Sequence, residues 1–209
     1  MTAYAQRERD SLADLLSEVG PQAATRCGDW TAADLAAHLV ARDRRPDSGP
    51  GLLLAPLAGW TETVRRRTLA SHSFPELTEM VRRPPWWSPV SNPLVHESAN
   101  LMEYFIHHED LRRAAPDWQP RDLPDDLEAT LWRRLRTLKL LLRKTPAGVV
   151  LHAPGHGELR AGRGGVSVRV TGPPSELMIF CSGRQPVARV TLEGPDGPAQ
   201  QLREANFSL

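Results

Sequence analysis

Glu103 and His107 stand four residues apart in the run from Asn92 to Ala114. A carboxylate and an imidazole at that spacing on a helix can both reach one divalent metal ion. Apolar residues recur through the run at helical spacing, which predicts a helix over Pro93–Ala114. At roughly 100° per residue, His96, Asn100, Glu103, His107 and Asp110 fall within about 80° of one another. They make a narrow polar stripe on a helix otherwise rich in Leu, Met, Phe and Ile. Such a stripe faces a metal ion, or else it is a second solvated face or a buried hydrogen-bonded network. The solvated face is expected elsewhere, near His108, Glu109 and Arg112. His96 lies about 16 Å along the helix from His107 at 1.5 Å per residue, too far to share a metal with it.

A catalytic zinc site typically takes three protein ligands and keeps a fourth position open. His38 is the candidate third ligand. It belongs to a predicted helix carrying Leu35, Ala36, Leu39 and Val40. Alone, a histidine there is more often a satisfied core residue. Two neighbouring antiparallel helices can, however, aim side chains at one point.

The elements that would position these residues are legible. Helices are expected over Ala3–Val19, from Thr31 through Val40, over Leu52–Leu69, over Pro75–Arg83 and over Asp125–Arg143. Thr31 with Asp34 reads as a capping box with Asp in place of Glu. Pro84-Pro-Trp-Trp-Ser-Pro89 reads as an extended loop, carrying Trp86 and Trp87 either over the metal or as a core plug between the domains. After Pro146 the texture changes to short β-like runs between glycines, a short helix over Pro173–Cys181 and a last strand over Val187–Leu192. The expected organisation is therefore α plus α+β. A helical bundle spans residues 1–144 and a small α+β domain spans 145–209.

The bulk numbers exclude several classes. The chain has 209 residues, 40% hydrophobic and 24% charged, with a net charge of +1. That balance argues for a soluble globular protein and gives no electrostatic case for nucleic acid or a membrane surface. No apolar run reaches a membrane span, and the first residues lack a signal peptide's apolar core, so a cytoplasmic location is expected. The two cysteines, Cys27 and Cys181, make no disulfide framework. Lys139 and Lys144 are the only lysines, an arginine bias usual in high-GC bacteria.

Cys27-Gly-Asp-Trp-Thr-Ala-Ala-Asp-Leu-Ala-Ala-His-Leu39 and Glu103-Tyr-Phe-Ile-His-His-Glu-Asp-Leu111, with Gly172–Arg184 near the C-terminus, carry a resemblance. Together they resemble the actinobacterial proteins related to mycothiol-dependent maleylpyruvate isomerase, within the DinB-like metal-binding superfamily. The resemblance runs along nearly the whole chain. It implies a DinB-like four-helix bundle holding a divalent metal, zinc or another such as nickel, on His38, Glu103 and His107. Asp110 matches the acidic position after the second histidine. It is either an orienting acceptor for His107 or a helix-surface residue.

The resemblance further implies mycothiol as cosubstrate, held by the metal as a thiolate. The activity would then be that of an isomerase or S-transferase acting on a small, acidic substrate. The alternatives are a metal-bearing binding or sensor protein without turnover, and a thiol-independent metal hydrolase. No catalytic residue is singled out. Arg42, Arg44, Arg45, Arg82, Arg83 and Arg184 are candidates to bind such a substrate, though each is more easily read as surface; Arg184, which ends the Ser-Gly-Arg tail, is the substrate-binding candidate of most interest. Cys27 is expected to pack before the capping box, Cys181 to be buried, and His152 and His156 to hold no second metal.

Overall fold

The protein is described by a computed structural model covering residues 4–45, 47, 58–92, 96–138, 148–162, 167–205 and 207. The chain divides into two compact units, Met1–Gln119 and Pro120–Leu209. The N-terminal unit is helical. Its elements are α1 (Tyr4–Val19), α2 (Ala32–Arg44), α3 (Ala58–Ser71), α4 (Phe74–Arg82), a 3-10 turn at Pro89–Ser91 and α5 (His96–Arg112). The first three residues of the expected Pro93–Ala114 helix and the first six of Leu52–Leu69 lie outside the described residues.

α1 packs along α5, α4 packs on both α1 and α2, and α3 packs on α2. Leu12, Leu16, Leu35, Leu39, Leu77, Val81 and Tyr104 form one buried cluster between these helices. Full burial of each such leucine contributes roughly 2 kcal/mol. That cluster fixes α2 against α5, the two helices that carry the polar stripe and His38.

One expectation about α5 is overturned. His108 and Glu109 are buried, at 5% and 1% exposure, where a solvated face was expected. Each is paired: His108 Nδ1 lies 2.9 Å from Glu8 Oε2 of α1, and Glu109 accepts from Arg113 Nε at 2.6 Å. α5 is therefore polar on two buried faces. In the tryptophan loop, Trp86 is 89% exposed and Trp87 is 50% exposed.

The C-terminal unit holds α6 (Asp125–Leu138), β1 (Gly148–Ala153), β2 (Gly157–Ala161), β3 (Ser167–Thr171), α7 (Pro174–Cys181), β4 (Thr191–Glu193) and α8 (Asp196–Glu204). The strands form one sheet in the order β2-β1-β3-β4, with β1 and β3 parallel and both outer pairs antiparallel. The β1–β2 turn needs backbone that L side chains rarely adopt, and glycine supplies it at Gly155 and Gly157. α7 is buried on every side, and α6 packs against it with Leu127, Leu131 and Leu135 buried. α6 thus groups with the C-terminal unit; the expected boundary at residue 144 lies outside the described residues. The strand expected over Val187–Leu192 is shorter and later, because Gln185–Val187 form a 3-10 turn. Among the described residues, no helix is long and apolar enough to cross a membrane.

Candidate metal centre

α2 begins with a complete capping box. Thr31 Oγ1 accepts from the Asp34 backbone N–H, and the Asp34 carboxylate accepts from the Thr31 backbone N–H. The cap fixes where the helix starts. The buried Leu35 and Leu39 then fix its rotation, so that His38 faces α5.

The segment between α1 and α2 is tied to the end of α5. The Arg26 backbone N–H donates to the Asp110 carbonyl at 3.0 Å, and Arg26 Nε donates to the Arg113 carbonyl at 2.7 Å. These donors satisfy carbonyls that a helix C-terminus leaves without intrahelical partners. They also set Cys27 against α5.

Three donor atoms converge. His38 Nε2 lies 3.1 Å from Glu103 Oε1, and His107 Nε2 lies 3.5 Å from the same oxygen. The ligand atoms offered by His38, Glu103 and His107 all lie within 4.8 Å of one another. Donors on one tetrahedral zinc are separated by about 3.3 Å when each bond is about 2.0–2.2 Å, so these two spacings fit such an ion. Two imidazoles and a carboxylate are also the donor chemistry such an ion takes. The carboxylate only accepts, so each imidazole nitrogen facing it carries a proton unless a cation takes that proton's place.

The far edge of the His107 ring is equally engaged. Nδ1 lies 3.0 Å from Asp110 Oδ2, and the Cys27 thiol donates to that same oxygen at 3.0 Å. Cys27 Sγ is 3.6 Å from His107 Nδ1. Cys27, His107 and Asp110 make a second group of convergent donors, sharing the His107 ring with the first. The Asp110 side chain is buried at this edge of the ring. The Trp30 ring packs on His38 with centroids 5.2 Å apart, and the Arg65 guanidinium lies over Trp30 at 4.8 Å.

Electrostatics divide the three side chains. Burial pushes the Glu103 carboxyl up, but hydrogen bonds from His107 and His38 and the charges of His107 and Arg42 outweigh it and hold it well below the usual range. Burial disfavours the charged form of His107, yet Asp110, Cys27 and Glu103 raise its pKa well above the ordinary value. For His38 burial wins and the pKa is lowered, so the ring is a neutral donor at neutral pH.

The structure therefore brings together His38, Glu103, His107 and Asp110, all within the N-terminal unit. Asn100 and His96 of the same stripe are partnered elsewhere. Asn100 accepts from Arg42 Nη1 at 2.8 Å, and His96 Nε2 lies 3.1 Å from Arg9 Nη2. Arg184 belongs to the C-terminal unit, where its guanidinium donates to the Ser182 carbonyl. Two neighbours of the site escaped the sequence reading. Cys27 is eighty residues from His107, and no spacing links them. Arg42 was read as surface, although it lies one turn after His38 on the same face of α2, which was a usable signal.

Comparison with solved structures adds a further observation. The chain shares the fold of the mycothiol-dependent maleylpyruvate isomerase. A crystal structure of that isomerase aligns with a TM-score of 0.57 at 19% identity, covering 92% of each chain. A histidine-to-alanine variant of it aligns with a TM-score of 0.58 at 18% identity, again over 92% of each chain. No protein-family model matches the chain, and no curated protein matches it. The likeness is one of fold.

Proposed function

We propose that this protein is a metal-dependent thiol enzyme, an isomerase or S-transferase that takes mycothiol. His38, Glu103 and His107 hold one divalent cation, with zinc as the first choice and nickel as the alternative. The observation that carries this reading is the convergence of His38 Nε2 and His107 Nε2 on Glu103 Oε1, in a chain with the fold of an isomerase named for its dependence on mycothiol.

Bound there, the cation would lower the pKa of a thiol and keep it as thiolate, the nucleophilic form. The protein's own groups do the rest. Asp110 accepts a hydrogen bond from Nδ1–H of His107 and leaves Nε2 to face the site. Trp30 walls the His38 side. In an isomerase the thiolate adds to a conjugated carbon and the electron pair moves to the neighbouring carbonyl. The carbon–carbon bond turns and the returning pair expels the thiolate, so no thiol is consumed. A transferase would keep the new carbon–sulfur bond. Arg184 is the candidate that binds an acidic substrate. A reduced thiol cosubstrate fits a cytoplasmic location.

The test is elemental analysis of the wild type and Glu103→Ala, followed by rate measurements with and without mycothiol. About one ion per chain, lost in the variant, with a rate that depends on mycothiol, is the expected result. Metal without any thiol response would return the protein to a binding or sensor role. No metal after reconstitution would turn the stripe into a hydrogen-bonded network.

A further inference from the structure

We infer that Arg42 is the positioning residue of this centre, locking the Glu103 carboxylate between His38 and His107. The inference rests on the metal reading of that triad. Arg42 follows His38 by one turn on α2 and crosses to α5, with its side chain 13% exposed. Nη2 donates to the Ala99 carbonyl at 2.8 Å, and Nη1 donates to Asn100 Oδ1 at 2.8 Å and to Asp43 Oδ1 at 3.1 Å. Nε lies 3.5 Å from Glu103 Oε1.

The partners are themselves fixed. Asn100 is fully buried, and its amide donates to the Val90 carbonyl at 2.7 Å. Asp43 is buried and accepts from the Tyr104 hydroxyl at 2.9 Å. The guanidinium is therefore held by its terminal nitrogens, and its remaining edge is presented to Glu103. Nη1 is engaged by Asn100 and Asp43 and Nη2 by the Ala99 carbonyl, so Nε is the nitrogen turned to Glu103.

A planar guanidinium placed this way is a geometric device that an ammonium cannot replace. It restricts the carboxylate to one orientation, which leaves less conformational freedom to be lost when a cation binds. Charge alone argues in the opposite direction. A cation 3.5 Å from a ligand oxygen repels a metal, so deleting it should tighten metal binding. The two roles thus differ in sign.

The experiment compares zinc affinity, by competition with a chromophoric chelator, in the wild type, Arg42→Met, Arg42→Lys and Asn100→Leu. Visible spectra of the cobalt-substituted proteins are recorded alongside. Positioning predicts zinc affinity weaker by about 10–100-fold in Arg42→Met and Arg42→Lys, with altered cobalt bands. A smaller loss in the same direction is expected for Asn100→Leu, which changes no charge. Unchanged or tighter zinc binding in Arg42→Met overturns the inference, as does full rescue by Arg42→Lys. If Arg42→Met fails to fold by circular dichroism, Asn100→Leu decides, and wild-type affinity and spectrum in that variant overturn the inference. A wild type that holds no metal fails earlier and takes the metal reading down with it.

Discussion

His107 presents one ring nitrogen to Glu103 and the other to Asp110 and Cys27, so its protonation governs the site. Its pKa is held well above 6.5, against burial, by Asp110, Cys27 and Glu103. A raised histidine contributes stability that is fully present below its unfolded value and lost as pH rises through the folded one. Glu103, held below 4.5, contributes stability that is lost as pH falls through its depressed value. A cation on Nε2 must displace a proton, so its affinity rises with pH over the range where His107 titrates. Without added metal, the melting temperature should therefore fall as pH rises from neutral. The increment produced by added zinc should grow over the same range. An increment that shrinks would remove His107 from the ligand set. The stripe on α5 was legible because helical spacing alone brings Glu103, His107 and Asp110 to one side. The burial of His108 was not legible, because it depends on Glu8, a hundred residues away in sequence on α1. Periodicity shows which residues share a face and is silent about whether a distant carboxylate covers it.

Helix ends set much of the geometry. The box of Thr31 and Asp34 opens α2 seven residues before His38, and the Asp34 carboxylate also pairs with Arg65 of α3. Thr31→Ala should cost about 1 kcal/mol of unfolding free energy, within roughly 0.5–2. Urea unfolding would measure it, and an unchanged midpoint would show that tertiary packing alone sets the start of α2. This cap was readable because its residue types and spacing are local. α8 was not foreseen. Its Gly197-Pro198 pair reads as a turn, and only Ala199 and Leu202 are buried. Proline in a first turn breaks no intrahelical hydrogen bond, so the segment is free to be helical once packing favours it. The link between Arg26 and the end of α5 carried no sequence signal, because backbone carbonyls have no residue type.

At the scale of the molecule, every donor discussed lies between Cys27 and Asp110, inside the unit Met1–Gln119. Residues 1–119 expressed alone should bind zinc with the stoichiometry of the full chain, read by elemental analysis after gel filtration. A folded fragment that binds none would show that the site needs the second unit. The break in texture near Pro146 was visible in the sequence because strand-like runs replace helical periodicity there. The membership of α6 was not, because an amphipathic helix shows the same stripe whichever helix it packs against. The chain's two sulfhydryls fare differently. Cys181 is sealed inside α7, where burial pushes its thiol up to about 12, while Cys27 is only half-buried. An alkylating drug or a peroxide would therefore leave its mark at residue 27, and oxidative injury would reach the His107 edge of the site before the rest of the fold.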